Sequence, residues 1–422
     1  MGPIVLFDKS FLEMLNIDEA AVFDVLYLSV ICPVFYTEVL ADLSKEPPGE
    51  RTAERIVADV AKKTPILHST PNTMHTSICM TELLGNPVDM RRVPVRAGGR
   101  PVRRSDGTVG VVYDEAPEAK AFNRWQRGRF REVEHEFAAR WREQLLRTDH
   151  AAMAKLAKTV LKIHATPRNL QETMAIAREV VNGMGQRFMT LKTAYALLGL
   201  PPALFPKVQK RWMDEGGPHL AEFAPYTAHC LLVDVFFHVA VDKKLIDPGR
   251  ASNRVDMAYL FYLPFAMIFV SNDKLHRRVV PLFLQDNQMF VFGDDLKQDL
   301  ARLDAYYSSR PEAERAEGLM RLAGYPPDDD SYLTTRIWKQ MGLRMRPAPE
   351  EANPADAMPK PAVAKLIAMV NDMKASAKGP AGMGPFTRDE VDDASHVVIE
   401  RLVPLHRGKW RLMPPGVETK TE

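Results

Sequence analysis

Two apolar runs, more than two hundred residues apart, lie next to aspartates. Residues 4–7 are followed by Asp8, and residues 259–270 are preceded by Asp256 and followed by Asp273. Short apolar runs of this kind favour buried strands. Because open α/β sheets bind their ligands at the carboxyl ends of the strands, we expect these aspartates to meet at one edge of a sheet.

A fourth acid, Glu38, extends the pattern. Residues 30–32 predict another short strand, and Pro33 is typical of the first position of a helix, which would carry Glu38. Carboxylate oxygens are the ligands that hard divalent cations prefer, and such ions activate water and stabilise charge in phosphodiester hydrolysis. The four acids therefore predict a site for one or two Mg²⁺ or Mn²⁺ ions.

Each acid also has a structural interpretation. Asp8 can end a strand in a turn, and Asp273 can cap a helix predicted over 274–284. Asn253, with Asp256 three residues later, resembles a capping box. A purely structural explanation requires several independent caps at the same edge of one sheet, so the joint site is the stronger hypothesis.

The order of the four acids resembles that of the PIN-domain family of metal-dependent nucleases. In that family a first strand ends in Asp, a Glu lies on the helix after the second strand, and two Asp come late, the second after a strand ending in Thr or Ser. The resemblance places Ser271 in the hydroxyl position and implies that Ser10, Ser271 and Asn272 support the carboxylates by hydrogen bonds. Lys9 departs from the pattern, because a small hydroxyl residue usually follows the first Asp. The implied catalytic residues and metal ligands are Asp8, Glu38, Asp256 and Asp273.

The resemblance implies an α/β fold, a PIN-like three-layer sandwich around a mainly parallel sheet. Its two halves are far apart in the chain, so a mostly helical insertion subdomain must separate them. The predicted limits are 1–45 and 226–310 for the nuclease domain, 46–225 for the insertion, 311–344 for a helical extension and 345–422 for a Pro-rich C-terminal extension.

Within the insertion, aromatic and aliphatic residues recur at helical spacing from 122 to 147 and predict one helix with these residues in the core. Arginines cover its remaining surface, so stacking of the rings on nucleic-acid bases is the alternative. The rings are Trp125, Phe130, Phe137 and Trp141. Further helices are predicted over 151–164, 170–182, 188–198 and 227–241, and in the C-terminal extension over 361–374 and 387–402. That extension is either packed on the body or a partner-binding arm.

Positive charge is concentrated between residues 91 and 131, which hold eleven Lys and Arg against four Asp and Glu. Turn signals at 98–99 and 106–107, with an apolar run at 109–113, predict a basic β-hairpin. Such a patch is expected of a protein that binds a phosphate backbone, and a solvated basic loop is the alternative. The predicted nucleic-acid-binding residues are Arg91, Arg92, Arg96, Arg100, Arg103 and Arg104.

Composition is that of a globular protein, with 422 residues, 46% apolar content and a net charge of +2. Cys32, Cys79 and Cys230 have neither the number nor the spacing of a disulfide framework or a zinc site. The run 259–270 is too short for a bilayer and contains a proline, so it predicts a helix, a break and a buried strand. Asp8 falls where a signal peptide needs its apolar core, and we expect a cytoplasmic protein without membrane contact.

The expected activity is metal-dependent endonucleolytic hydrolysis, with RNA favoured on family resemblance alone. A DNA-directed nuclease and a catalytically inactive RNA-binding scaffold are the alternatives. A haloacid-dehalogenase-type phosphatase would need a second Asp where Ser10 stands, and no phosphate-binding P-loop motif occurs. A toxin or defence role, a regulatory protein partner and a homo-oligomer stay open.

Overall fold

The computed structural model describes residues 2–46, 49–90, 99–115, 117–161, 163–182, 186–345, 360–377, 385–386, 396–399 and 403–413. The strands in these segments are β1 Ile4–Phe7, β2 Leu28–Ile31, β3 Ser69–Pro71, β4 Gly99–Arg103, β5 Val109–Tyr113, β6 Ile268–Ser271, β7 Met289–Phe292, β8 His396–Ile399, β9 His406–Arg407 and β10 Trp410–Arg411.

The helices up to residue 223 are α1 Lys9–Met14, α2 Ile17–Leu26, α3 Pro33–Ala41, α4 Ala53–Lys63, α5 His75–Leu83, α6 Pro117–Trp125, α7 Glu132–Arg147, α8 His150–Val160, α9 Leu170–Asn182, α10 Arg187–Leu197, α11 Phe205–Asp214 and α12 Leu220–Phe223. The later helices are α13 Pro225–Asp242, α14 Ser252–Ala258, α15 Lys274–Val279, α16 Gly293–Ser308, α17 Glu312–Arg315, α18 Leu319–Leu322, α19 Leu333–Gln340 and α20 Lys360–Ser376. Short 3-10 helices cover Asp42–Ser44, Pro202–Leu204, Tyr259–Phe265 and Val280–Leu282.

The central feature is a five-stranded sheet in the order β3-β2-β1-β6-β7, in which every neighbouring pair is parallel. Strands β1, β2 and β6 are apolar and almost completely buried, as expected of strands covered by helices on both faces. The predicted α/β class with a parallel sheet is therefore confirmed.

The order of the strands reverses between β1 and β6. From β1 the chain moves outwards to β2 and β3, and it returns on the other side of β1 to form β6 and β7. Loops leave the sheet in opposite directions at such a point and open the crevice in which α/β proteins bind ligands. Asp8 directly follows β1 and Ser271 ends β6, so both lie at this switch point.

Several local predictions are confirmed. Pro33 is the first residue of α3, and the predicted helix 227–241 lies within α13, which packs against α5, α8 and α9. The run 259–270 forms a 3-10 helix, a break and strand β6.

No helix in the described part of the chain combines the length and hydropathy needed to span a bilayer.

The single helix predicted over 122–147 is wrong. The chain forms α6 and α7, separated by a turn in which Gly128 has a φ of 66°, a conformation that glycine adopts without steric cost. The turn reorients α7, so that Glu134 and Ala138 face the body while Phe137 is exposed. Trp125, on α6, is in the core as predicted.

The predicted domain boundary at residue 45 does not coincide with the edge of the sheet. Strand β3 lies within the range assigned to the insertion, yet it pairs with β2 in the central sheet. Helix α4 also packs on α1 and α2. The sheet unit therefore includes the first part of the segment 46–225.

The predicted basic hairpin is present as the antiparallel pair β4 and β5. Strand β8 pairs in parallel with β5, and α20 packs on the same hairpin. The helix predicted over 387–402 is thus wrong at residues 396–399, where two valines and an isoleucine pair with a strand instead. The rest of that predicted helix lies outside the described residues.

Candidate active site

Asp8 is the most fully bound of the four acids. It is buried at the N-cap of α1, where its Oδ1 atom accepts a hydrogen bond from the backbone N–H of Phe11 at 3.0 Å. The Ser10 hydroxyl lies 2.9 Å from both carboxylate oxygens, and the Ser271 hydroxyl donates to Oδ2 at 2.6 Å. Both predicted supporting serines therefore contact this carboxylate.

Asp273 has two partners. Its Oδ1 atom caps α15 by accepting from the backbone N–H of Leu275 at 2.6 Å, as the structural interpretation predicted. Its Oδ2 atom lies 3.1 Å from Nη2 of Arg250. The cap fixes the carboxylate at the start of α15, and a half-exposed guanidinium compensates its charge.

Asp256 is different, because its Oδ2 atom is buried without a hydrogen-bond partner. The nearest cation, Arg250 Nη2, is 3.8 Å away. Burial raises the pKa of Asp256 to about 7, with further contributions from the charges of Asp273 and Glu38, although His276 and Arg250 oppose this shift.

The alternative capping role of Asp256 is not found. Helix α14 begins after Ala251, and Asn253 lies inside it, where its side-chain amide donates to the carbonyl of Asp247 at 2.9 Å. Neither Asn253 nor Asp256 caps the helix. Asp256 therefore lacks the structural role that its sequence context suggested.

Glu38 lies on α3 and points towards the same group of acids. The Tyr259 hydroxyl donates to its Oε2 atom at 2.6 Å, and Nζ of Lys9 is 4.0 Å from Oε1. Burial raises the pKa of Glu38, and Lys9 and Tyr259 only partly oppose this by stabilising the carboxylate. The charges of Asp8 and Asp42 add to the increase.

Lys9, the departure from the PIN pattern, is buried and faces acids other than Asp8. Its Nζ lies 2.6 Å from Asp42 and 3.2 Å from Glu13, both closer than Glu38. Burial alone would lower the pKa of Lys9, but the three carboxylates raise it above its usual value. The cation therefore lies at the Glu38 side of the site.

His276 is a site residue that sequence reasoning missed. Its Nδ1 atom is 2.8 Å from Ser271 Oγ and 3.4 Å from Asp8 Oδ2, and its Nε2 atom is 2.8 Å from the Asp256 carbonyl. Burial opposes protonation, but Asp8 and Asp256 overcome it and raise the pKa of His276 to about 9. An imidazolium donates to both oxygen partners, and in turn it lowers the pKa of Asp8 against the effect of burial.

The available sequence signal for His276 was its position three residues after Asp273, which places both at the first turn of α15. Asn272 faces elsewhere: its amide group bonds Asp294 of α16 at 2.9 Å and 3.0 Å. It joins β6 to α16 and does not contact any of the four acids.

The four acids are neighbours, but they do not form a preformed metal cage. In the part of the chain that the structure describes, no three His, Cys, Asp or Glu side chains are arranged so that they could hold a metal ion. In donor chemistry, however, four carboxylates fit a hard divalent cation. The unpartnered oxygen of Asp256 is the feature that such a cation would satisfy.

The predicted arginines form a separate group. Arg100 is 2.9 Å from Asp114, and Arg104 is 2.9 Å from Asp106 and 3.4 Å from Asp372, so these charges are compensated within the hairpin module. Arg103 lies over the ring of Phe386. Arg91, Arg92 and Arg96 lie outside the described residues.

Comparison of the chain with protein-family models, curated proteins and solved structures found no match. The proposed family relationship therefore depends on the order of the four acids and on their meeting at the switch point of a parallel sheet.

Proposed function

We propose that this protein is a Mg²⁺- or Mn²⁺-dependent endonuclease of PIN-like type, with RNA as the favoured substrate. The proposal includes the finer architecture, a three-layer sandwich interrupted by a mostly helical insertion. The observation that supports it best is the position of Asp256, whose buried and unpartnered carboxylate oxygen is close enough to Glu38 and Asp273 for their charges to raise its pKa.

The acids would bind the metal ion, and the two serines would orient the Asp8 carboxylate. Asp8, Asp256 and Asp273 would hold the ion, with Glu38 beside them; the chemistry that a bound Mg²⁺ or Mn²⁺ supplies is activation of water and stabilisation of charge on phosphate oxygens. Ser10 and Ser271 fix the rotamer of the Asp8 carboxylate. With its pKa near neutrality, Asp256 can also hold or release a proton at Oδ2.

A second candidate function is a nucleic-acid-binding scaffold without catalysis. It is favoured by the cations of the chain itself, because His276, Arg250 and Lys9 already compensate much of the acidic charge. A site neutralised in this way needs less external cation. The two candidates differ in whether cleavage occurs at all.

The deciding experiment incubates the purified protein with labelled RNA, single-stranded DNA and duplex DNA, each with Mg²⁺, Mn²⁺ or a chelator. We expect the wild type to cut RNA only with a divalent cation, and Asp8→Asn and Asp256→Asn to be inactive while keeping the wild-type circular dichroism spectrum. Asp295→Asn, an exposed acid on α16, is the matched control.

Equal cleavage by the wild type and by both site variants would reject the nuclease. Metal-independent binding of RNA without any cleavage would instead support the scaffold.

A further inference from the structure

We propose that one face of α7 binds single-stranded nucleic acid and leads it to the acidic site. The α7 face consists of Val133, Phe137 and Trp141, with Arg127, Arg129 and Arg131 in the turn before the helix. This inference rests on the proposed function, whose substrate it narrows to an unpaired strand.

The apolar residues of the α7 face lie along one line of the helix, with Val133 and Phe137 exposed and Trp141 half-buried. Its three residues are four positions apart, so they follow one side of the helix. Val133 is 63% and Phe137 42% exposed. The rings of Phe137 and Trp141 are nearly parallel, with 6.4 Å between centroids and 14° between planes. Two successive parallel rings form the kind of platform on which unpaired bases stack.

The adjoining side of α7, with Glu134, Ala138 and Arg142, holds the helix to the body, so Val133 and Phe137 are not needed for packing. Ala138 is fully buried, and its carbonyl accepts from the Ser44 hydroxyl at 3.3 Å. Arg142 donates to the carbonyl of Ser44 at 3.1 Å. Glu134 is bound by Arg124 at 2.7 Å. These contacts fix the orientation in which Phe137 points outwards.

Charge at the start of α7 complements a phosphate backbone. Arg127, Arg129 and Arg131 are exposed, and among the described residues none of them has a carboxylate in ion-pair contact. By contrast, Arg100 and Arg104 of the predicted hairpin site are paired with acids. Binding to phosphates releases counterions only if the protein cations are free to make the contacts.

The position of α7 links this surface to the acids. Helix α7 packs directly on α3, which carries Glu38, and on the 3-10 helix Asp42–Ser44, whose first residue binds Lys9 at 2.6 Å. A nucleic-acid strand bound along the α7 face is therefore separated from the acidic site by one helix, α3. A duplex keeps its bases stacked inside and cannot use the rings, so the chemistry of the face selects an unpaired strand.

The test is fluorescence anisotropy with a labelled single-stranded RNA in chelator, where cleavage does not interfere. We expect Phe137→Ala and Trp141→Ala each to weaken binding about tenfold, as is usual when one base no longer stacks. Replacing Arg127, Arg129 and Arg131 with Ala should reduce the logarithmic salt slope by about 0.7 for each phosphate that is no longer neutralised. Leu146→Ala is the control, because Leu146 is 71% exposed on the opposite side of α7 and should bind like the wild type.

A second measurement separates failure of this inference from failure of the nuclease. The ring variants should cut RNA more slowly but hydrolyse bis(p-nitrophenyl) phosphate, which is too small to reach the α7 face, at the wild-type rate. If the wild type hydrolyses neither substrate, the nuclease fails, and the binding data in chelator still decide the role of the α7 face.

Unchanged RNA affinity of both ring variants would overturn the inference. An equal weakening for duplex and single-stranded RNA would also overturn it. A wild type that dimerises in sedimentation, with monomeric ring variants of unchanged RNA affinity, would assign the face to a second copy of the chain and reject the nucleic-acid role.

Discussion

At the scale of single residues, three cations of the chain lie among the four acids: His276, Arg250 and Lys9. Each reduces the repulsion that closely spaced carboxylates would otherwise exert on one another. Asp256 is the acid they compensate least, because one oxygen lacks a donor and its pKa is raised to about 7. We infer that a divalent cation entering this site would first contact the unpartnered Oδ2 atom of Asp256.

His276→Gln should destabilise the fold, because it removes a buried cation from Asp8. The expected loss of stability is about 3–5 kcal/mol, the usual cost of removing one partner of a buried ion pair. Urea unfolding followed by circular dichroism measures it, with His164→Gln, an exposed histidine, as the control. In an Asp8→Asn background the same substitution should cost much less. Equal costs in both backgrounds would show that His276 does not act through Asp8.

His238 should make stability depend on acid pH. It is buried next to Asp234, Arg254 and His150, and burial lowers its pKa to about 4. Below its usual pKa of about 6.5 the unfolded chain takes up a proton that the folded chain refuses. The contribution of neutral His238 to the free energy of unfolding is therefore fully present above about pH 6.5. As the pH falls from there to about pH 4, this contribution decreases by about 1.4 kcal/mol per pH unit.

The measurement compares urea unfolding of the wild type and His238→Leu at several pH values between these limits. The variant should show a shallower decline, because it lacks the titrating group. Parallel curves for the two proteins would contradict a neutral buried imidazole at this position.

At the scale of elements, the β4–β5 hairpin forms a small module with β8 and α20. Its own core comprises Val102, Val112, Met373, Ala377 and Val398, separate from the main core. Hydrogen bonds from Ser105 to Asp372 and from Arg100 to the Ala377 carbonyl add to this packing. Among the described residues, the apolar core of the module is therefore separate from that of the sheet domain.

Met373→Ala should loosen this module without unfolding the sheet domain. Met373 is fully buried, and such a truncation typically costs about 2–5 kcal/mol. Amides of β4 and β5 should then exchange hydrogen faster, because opening of the module alone requires less free energy than global unfolding. The tryptophans all lie outside the module, so the unfolding midpoint from their fluorescence should stay unchanged.

Lys365→Ala on the same helix is the matched control, because Lys365 is exposed. A fall in the tryptophan midpoint with Met373→Ala would show that the module and the sheet domain unfold as one unit.

At the scale of the whole molecule, the sequence predicted those features that depend on a few neighbouring residues. The apolar runs before Asp8 and Asp273 are buried strands, and Pro33 begins its helix, because period and capping are encoded within a few residues. The meeting of Asp8 with Ser271 followed from one general property of parallel sheets.

Features that depend on distant partners were not predictable in the same way. Strand β8 forms by pairing with the edge of β5. The helical sequence pattern over 387–402 did not indicate this pairing. One glycine turn, at Gly128, moved Phe137 from an expected core position to the surface. His276 became a site residue only because the fold brings Asp8 and Asp256 to it.

A long-range tie joins the C-terminal extension to the sheet domain. Arg407 is buried and lies 3.0 Å from Asp24 Oδ2 and 3.0 Å from the carbonyl of Thr64. Asp24 is fully buried and also accepts backbone hydrogen bonds from Ile66, Leu67 and His68. This part of the extension is thus packed on the body, which was the first of the two alternatives; the other was a partner-binding arm.

Arg407→Ala should therefore destabilise the sheet domain, although residue 407 is far from it in the chain. The substitution leaves Asp24 buried with its backbone donors but without its cation, which typically costs about 3–5 kcal/mol. Lys409→Ala, in the same β9–β10 hairpin, removes a half-exposed ion pair with Asp304 and should cost less than about 1 kcal/mol. Urea unfolding followed by tryptophan fluorescence compares the two. Similar small effects for both variants would mean that the tie at Arg407 contributes no more than a surface contact.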